Sequence, residues 1–377
     1  MILLAGPRDL PPFRRLIIPF LFVVALFATL YLRRVEAPFI TLEVRGEAMG
    51  TSYLIKVVTA GDANTDQKRL LAEVGGAISA VNESMSTYID RSELSRFNAA
   101  TSLKPTAVSL PLYTVVGAAL EISRLSEGAF DPTVGPLVNA WGFGPTKRSG
   151  SPQPSERLEA LKRVGYTKLV LGQAERTLQK RQADLYVDLS AIAKGYAVDS
   201  VAERLDKMGF EDYLVEIGGE VRTRGLNHRR RPWRLAIERP SGGRGDIHKN
   251  ALVDLGTGAM ATSGDYRNYY IENGKRVSHT IDPRTGQPID HALASVTVLH
   301  ESCMRADGWA TALSVLGPDK GMEVAQRLGL KVFMLVRHDD GHFIERTTEE
   351  FEAYRVKRAG VSGEQSDKSK AAKETKP

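Results

Sequence analysis

Cysteine is almost absent from this 377-residue sequence, which contains a single one, Cys303. One cysteine cannot form an internal disulfide or a cluster of metal-binding thiolates. Cys303 lies among apolar residues of a predicted helix, so we expect a buried structural thiol. The sequence also lacks a P-loop, a G-x-S-x-G elbow and a C-x-x-C pair. Those absences give no support to a P-loop nucleotidase, an α/β-hydrolase or a dithiol redox protein.

A broad basic surface is also missing, although the net charge is +6. Residues 1–34 and residues 355–377 each carry a charge of +4, which leaves −2 for the residues between them. A nearly neutral body does not support nucleic-acid binding through a basic face. The composition, 42% hydrophobic and 25% charged, is typical of a globular protein.

The long apolar run LIIPFLFVVALFATLYL spans the 17 residues 16–32 and lies between two arginine pairs. As a helix it would measure about 26 Å, just enough for a thin hydrocarbon core. A cleaved signal peptide is the alternative. The only A-x-A-like site ends at Ala37 and is followed by Pro38, and no cysteine is present there for lipid attachment. We therefore predict an uncleaved membrane anchor within residues 1–37, a folded body over 38–357 and a disordered Lys-rich tail over 358–377.

Hydrophobic periodicity predicts both helices and strands in the body. Apolar residues at helical spacing form one stripe, Leu70, Val74, Ile78, Val81 and Met85. Further helices are predicted over 111–128, 191–208, 302–316 and 319–328. A short helix is also predicted from the loop at 151–156 to Val164. Strands are predicted over 41–59 with an interruption at Gly50, and at 168–171, 185–188, 233–237, 252–255, 294–298 and 331–336. Because strands and helices do not alternate regularly, the α+β class is favoured over a doubly wound α/β fold.

The stretch DLSAIAKG places Asp188 and Lys194 where a strand is expected to lead into a helix. An aspartate capping the helix and a surface lysine would explain the pattern. The alternative is a site for a phosphate-bearing ligand at the helix N-terminus.

In CMRADGWATAL, Asp307 and Thr311 share one helix face. They are too few for a metal cage but sufficient for Mg²⁺ whose shell is completed by phosphates; a threonine bonded back to its own helix is the alternative.

His279 in SHTIDPRTGQP has an intrinsic pKa near neutrality and could remove a proton from a hydroxyl, although a lone histidine before a turn is more often incidental. Asp282 and Arg284 follow it and could orient it or a phosphate. The two histidines of RHDDGHF are four residues apart, but Asp340-Gly341 predicts a turn and not a helix. That motif is not assigned a role.

Several motifs appear together in one order: EAMGTSY, MSTYIDRSELSRFN, GAFDPTVGPLVNAWGFGP, VDLSAIAKGYAVD, EIGGE, ATSGDYRNYY, SHTIDPRTG and ADGWATAL. The set resembles the ApbE family of FAD:protein FMN transferases from about residue 44 to residue 336. The resemblance implies a single T-fold-related body of mixed sheets and helices. It also implies that Mg²⁺ assists cleavage of FAD, that AMP is released and that FMN is joined to a threonine or serine of a target protein. Targets in the family are subunits of membrane redox complexes, such as the sodium-pumping NADH:quinone reductase (Nqr) and Rnf-type complexes.

The same resemblance assigns roles to individual residues. Contacts to the flavin nucleotide are expected from Met49, Tyr88, Ala129, Phe130, Asp131, Asp188, Lys194 and Ile281. The metal ligands would be the main-chain carbonyl of Ala191 with Asp307 and Thr311, and His279 would be the base. The reaction in the family takes place on the periplasmic side of the bacterial inner membrane, which agrees with an N-terminal anchor. Many members are lipoproteins, however, and this chain lacks their N-terminal cysteine.

Two other functions remain compatible with these motifs. A metal-dependent FAD pyrophosphatase would use water in place of the protein hydroxyl and yield free FMN and AMP. A non-catalytic accessory protein would bind FAD without cleaving it, although the base and the metal pair are both retained here.

Overall fold

The computed structural model describes residues 21–24, 39–60, 64–145, 148, 150–173, 175–238, 247–266 and 268–356. Most of the predicted anchor and the whole predicted tail over 358–377 lie outside the described residues. Within the described ranges, no helix has both the length and the apolar character needed to cross a membrane.

Apart from the short helical segment at residues 21–24, the described residues form eight α-helices and seventeen strands. The helices are α1 Asn64–Met85, α2 Glu93–Ala99, α3 Leu110–Leu125, α4 Gly135–Ala140, α5 Pro154–Lys162, α6 Ala193–Lys207, α7 Cys303–Arg327 and α8 Glu349–Glu352. The first strands are β1 Phe39–Ala48, β2 Thr51–Ala60, β3 Thr106–Ala107, β4 Leu169–Gly172, β5 Thr177–Lys180, β6 Asp212–Ile217, β7 Glu220–Arg224, β8 Arg234–Glu238 and β9 Ile247–Asp254. The others are β10 Gly258–Gly264, β11 Tyr269–Glu272, β12 Lys275–Ser278, β13 Ile281–Asp282, β14 Gln287–Pro288, β15 Leu293–His300, β16 Lys331–Arg337 and β17 Phe343–Thr347.

One eight-stranded sheet organises the fold, in the order β1-β2-β6-β7-β10-β15-β16-β17. Every neighbouring pair in it is antiparallel. A two-residue turn of Met49 and Gly50 joins β1 to β2, with positive φ angles of 52° and 75°. Two left-handed residues match the twist of a tight hairpin. The antiparallel sheet with its separate helices confirms the α+β class.

The sheet is covered on both faces, as alternation along its central strands shows. In β10 the side chains of Ala259 and Ala261 join the largest core, which also contains residues of α1, α3, α6 and α7. Met260 between them belongs to a smaller core formed with β8, β9 and α8. Because successive strand residues point to opposite faces, the long helices lie on one side of the sheet and the β8–β9 hairpin on the other.

Most helices predicted from periodicity are confirmed. All five residues of the 70–85 stripe are buried in α1. The predicted break between two helices at residues 316–319 is found within α7, where Gly317 has a φ of 78° and precedes Pro318. Cys303 is a free, buried thiol at the start of α7, as expected.

The strand predicted over 185–188 is wrong. Leu185, Val187 and Leu189 are buried, so the apolar alternation is real. The backbone of Val187, however, is paired with the side-chain amide of Asn98 and not with another strand. Alternation of apolar and polar residues shows that one face of a segment is buried. It does not show whether the backbone N–H and C=O groups are hydrogen-bonded to a neighbouring strand or to a side chain.

Candidate active site

Helices α6 and α7 approach each other very closely at Gly195. A methyl group added to Gly195 would lie 2.4 Å from the carbonyl oxygen of Cys303 and 2.8 Å from Cβ of Asp307. The Gly195 N–H donates to Oδ2 of Asp307 at 3.0 Å. Gly195 belongs to the first turn of α6, whose N–H groups have no partner within the helix, and the helical ladder begins with the bond from the Tyr196 N–H to the Ile192 carbonyl. Asp307 therefore satisfies a free first-turn N–H, and the Ala191 carbonyl lies just before the ladder.

The three residues predicted as metal ligands come from these two helix starts. Asp307 is almost fully buried, 4% exposed, and its burial raises the pKa of its carboxyl well above the ordinary value. The positive charge of Lys194 lowers the pKa of Asp307 and so opposes the effect of burial. Thr311, one turn further along α7, has its hydroxyl 3.4 Å from that of Ser263 on β10. These residues offer three oxygen donors: the buried carboxylate of Asp307, the hydroxyl of Thr311 and the carbonyl of Ala191. Oxygen donors are suited to a hard cation such as Mg²⁺.

Lys194 is paired with a residue that the sequence motifs did not single out. Its Nζ lies 2.7 Å from Oε1 of Glu220, whose side chain is only 4% exposed. Burial lowers the pKa of Lys194, but the charges of Asp307 and Glu220 outweigh burial and raise it overall. The other Glu220 oxygen, Oε2, is buried without a hydrogen-bond partner among the described residues. Lys194 is thus held charged beside Asp307.

The segment containing Asp188 is fixed from two sides. The Asn98 side chain exchanges two 2.8 Å hydrogen bonds with the backbone of Val187, and the Asp188 N–H donates to the carbonyl of Pro132 at 2.7 Å. Oδ1 of Asp188 accepts from the N–H and the hydroxyl of Ser190, at 2.9 and 2.6 Å. Asp188 therefore caps the turn before α6, which starts at Ala193 and not at Ser190.

Residues 129–131 form the buried loop that supports this segment. Ala129 and Phe130 are 1% and 4% exposed. The Asp131 carboxylate accepts from the N–H and hydroxyl of Thr133 and from the N–H of Tyr166, at 2.6–2.8 Å. Its burial nevertheless raises the pKa of Asp131. Both oxygens of the Asp131 carboxylate are thus engaged by the protein, and the residue shapes the loop.

Tyr88 is the exposed aromatic of the site, with 67% of its surface accessible. Although most of the ring is exposed, partial desolvation of the hydroxyl and then the charge of Asp188 raise the pKa of Tyr88. An exposed ring beside a polar segment is suited to stacking on a planar group. The structure therefore brings Tyr88 near Asp188, and both residues are expected from the family resemblance to contact the flavin nucleotide.

The β1–β2 turn, which carries Met49, lies beside Lys194. A methyl group on Gly218 would lie 2.8 Å from Cγ2 of Thr51 and 3.3 Å from Cδ of Lys194, so the three residues converge. Met49 is one of four described residues other than glycine with a positive φ. Such conformations are uncommon for residues with a side chain and often occur at ligand sites.

His279 follows the β11–β12 hairpin, and its ring is oriented by the main-chain carbonyl of Asn268. Its Nδ1 lies 2.8 Å from the carbonyl oxygen of Asn268, and because a carbonyl can only accept, Nδ1 carries the proton. Nε2 is thereby left as the basic nitrogen. Burial lowers the pKa of His279, and the charge of Lys194 lowers it further. Phe143 contacts the ring edge-on at a centroid distance of 6.2 Å. Two residues later, Ile281 is buried in a small core with Leu137 and Trp141.

Asp199 is a second residue that sequence reasoning missed. From α6 its carboxylate accepts the N–H groups of Cys303 and Met304, both at 3.0 Å, and the hydroxyl of Ser302 at 2.7 Å. Arg222 on β7 balances its charge at 2.5 Å. An acidic side chain at a helix N-terminus stabilises the free N–H groups there. Asp199 therefore fixes the start of α7 against α6, one turn before Asp307.

The ApbE family model matches residues 49–334 of this chain. The FAD:protein FMN transferase of Vibrio cholerae serotype O1 is 46% identical over 333 residues, which cover 88% of this chain and 98% of the relative. The FAD:protein FMN transferase of Escherichia coli K12 is 41% identical over 303 residues, covering 79% of this chain and 84% of the relative.

Solved structures give the same result. The flavin transferase ApbE from Vibrio cholerae has a TM-score of 0.77 and 45% identity, covering 84% of this chain and all of that structure. The apo form of the Pseudomonas stutzeri flavinyl transferase ApbE has a TM-score of 0.76 and 38% identity, covering 86% and 98%. The fold expected from the motif order is therefore confirmed.

Proposed function

The chain belongs to the ApbE family, and from that premise we propose a Mg²⁺-dependent reaction that joins the FMN half of FAD to a protein hydroxyl. It is a FAD:protein FMN transferase, as its relatives at 41% and 46% identity are named. The proposal adds the metal, a phosphoester bond to a threonine or serine, and the release of AMP. The observation that carries it is the Gly195–Asp307 contact, which places a buried carboxylate at the start of α6, close to Lys194.

The donor set fits a magnesium ion. Asp307, the hydroxyl of Thr311 and the carbonyl of Ala191 would hold it, with substrate phosphates and water completing the shell. When bound, Mg²⁺ would neutralise charge on the pyrophosphate and polarise the phosphorus that is attacked. Lys194, kept charged by Glu220, would stabilise phosphate oxygens from another direction.

His279 would act as the general base through Nε2, since Nδ1 is committed to Asn268. The acceptor hydroxyl loses its proton to Nε2, and its oxygen forms a bond to the phosphorus of the FMN half. The bond from that phosphorus to the bridging oxygen breaks, and AMP leaves with that oxygen. Tyr88 and the 129–131 loop would hold the flavin half in place.

We propose further that acceptors are subunits of Nqr- and Rnf-type membrane redox complexes. The chain would then be anchored in the bacterial inner membrane through residues 16–32, with its body in the periplasm. The apolar run and its flanking arginines support this location. Protease added to intact spheroplasts should digest the body, whereas a cytoplasmic body would be protected.

The reaction is tested by incubating the full-length chain with FAD, Mg²⁺ and a candidate acceptor, followed by intact-protein mass spectrometry with and without chelator. A gain of one FMN on the acceptor, lost with chelator, is the expected result. Free FMN with AMP would instead identify a pyrophosphatase, and intact FAD a binding protein.

The roles of two residues are tested in the same assay. His279→Ala should abolish transfer and retain FAD binding, whereas replacing the exposed His228 by alanine should change neither. Asp307→Ala should lose the dependence on Mg²⁺ and most of the activity. Near wild-type transfer by His279→Ala would remove that residue from the role of base.

A further inference from the structure

The turn between β16 and β17 brings together two histidines and an aspartate that lie close in sequence but not on a helix. Backbone hydrogen bonds define the turn: the His338 N–H donates to the carbonyl of His342, and the Gly341 N–H donates to the carbonyl of His338, both at 2.9 Å. Gly341 has a φ of 87°, which a glycine adopts without strain. The two histidines are therefore paired across the base of a tight hairpin.

Three potential metal ligands converge at this turn. The imidazole rings of His338 and His342 stack with centroids 4.5 Å apart and an interplanar angle of 24°. Nδ1 of His338 lies 3.2 Å from Oδ1 of Asp340, and Nδ1 of His342 contacts the same oxygen. One ligand atom from each residue lies within 4.8 Å of the others. The His342 N–H also donates to Oδ1 at 3.1 Å, which fixes the carboxylate and lowers the pKa of Asp340.

We propose that His338, Asp340 and His342 form a binding site for a divalent transition-metal ion, with Zn²⁺ as the reference ion. Two imidazole nitrogens and one carboxylate oxygen are a donor set suited to Zn²⁺, Cu²⁺ or Ni²⁺, whereas Mg²⁺ prefers oxygen donors alone. The site is thus chemically different from the oxygen-donor set of Asp307 and Thr311. It also lies beyond residue 334, where the match to the ApbE family model ends, and it is independent of the transfer reaction.

The separation of the donor atoms is close to what a tetrahedral ion requires. Zinc–nitrogen and zinc–oxygen bonds of about 2.0–2.1 Å place neighbouring donor atoms roughly 3.3 Å apart. The 3.2 Å between His338 and Asp340 already fits this spacing. The closer contact of His342 must open as the ion replaces the shared proton, and the stacked rings must also turn, because a nitrogen lone pair lies in its ring plane. The two side chains are 47% and 53% exposed and have room for this rotation. Water would occupy the fourth position.

The experiment titrates the full-length chain with ZnCl₂ by isothermal titration calorimetry, in excess Mg²⁺ to occupy the oxygen-donor site. One Zn²⁺ per chain is expected. His338→Ala and His342→Ala should each weaken binding by about tenfold or more, since even outer-shell partners of a metal contribute 10–100-fold. His228→Ala, which removes another exposed histidine, and Asp307→Ala should bind Zn²⁺ like the wild type.

A spectroscopic measurement identifies the ligands directly. With one equivalent of Cu²⁺, electron paramagnetic resonance should show coupling to two imidazole nitrogens, and to one in His342→Ala. Unchanged zinc affinity in both histidine variants would overturn the assignment, as would binding that depends on Asp307. Failure to bind Zn²⁺ at all would overturn it equally.

Discussion

Replacing Gly195 with alanine should separate the two helices that form the candidate metal site. The added methyl group would lie 2.4 Å from the oxygen and 2.7 Å from the carbon of the Cys303 carbonyl, and 2.8 Å from Cβ of Asp307. Non-bonded heavy atoms are comfortable at about 3.5–4.0 Å. Because two of the three atoms belong to the backbone, no side-chain rotation relieves the contact. The helices must move apart by roughly 1 Å.

The expected losses in stability and in activity differ in size. Overpacking of this kind costs about 1–3 kcal/mol, and the better helix propensity of alanine returns up to about 1 kcal/mol. The net loss in the free energy of unfolding is therefore roughly 0–3 kcal/mol. A displacement of about 1 Å in catalytic groups can reduce the rate about 100-fold. Activity should therefore fall far more than stability.

The assay measures initial rates of FMN transfer over a range of Mg²⁺ concentrations, together with urea unfolding of the same preparations. Gly75→Ala in α1 is the matched control, since nothing lies within 4 Å of its added methyl group. The control should keep its rate and gain up to about 1 kcal/mol of stability. A Gly195→Ala variant with the wild-type rate and Mg²⁺ dependence would refute the view that this close approach positions Asp307.

Three further predictions concern the groups around this contact. Glu220→Gln should lower the free energy of unfolding by about 1–3 kcal/mol in urea titrations, less than a fully buried pair would lose, because the Lys194 side chain is 30% exposed; an unchanged value would mean that the pair is not stabilising. The acid limb of kcat/KM should lie below pH 6.5, because burial lowers the pKa of His279 and keeps it neutral where an ordinary histidine is half protonated; a limb at or above pH 6.5 would contradict this. Asn98→Ala should cost about 1–3 kcal/mol by leaving the buried Val187 backbone groups unpaired and should raise the KM for FAD, measured from transfer rates; loss of stability with an unchanged KM would limit Asn98 to a structural role.

Local patterns predicted the five longest α-helices and seven of the seventeen described strands, because the relevant signal is contained within a few turns. The stripe from Leu70 to Met85 has helical spacing, and all its members are buried. The Gly317-Pro318 break could be predicted for the same reason, since both residues disfavour a regular helix.

The supporting residues of the site could not be predicted in this way. Asn98 is 89 residues from Val187, and Asp199 is 104 residues from Cys303. Glu220 begins β7, and nothing in its neighbourhood indicates that it faces Lys194. A buried polar side chain needs a hydrogen-bond partner, and that partner is brought close by the tertiary fold and not by the local sequence. The motifs identified which stretches matter, and the structure shows which side chains hold them in place.

The charges around Lys194 bear on how FAD would be attracted to the site. Glu220 and Asp307 both lie near Lys194, and Asp307, whose pKa is raised by burial, adds a further negative charge when it is ionised. A pyrophosphate entering beside two carboxylates would be repelled unless further positive charge is supplied. In the proposed reaction, a divalent cation held by Asp307, Thr311 and the Ala191 carbonyl would supply it. Lys194 would then serve as a fixed contact for phosphate, and the metal would supply the net attraction for FAD.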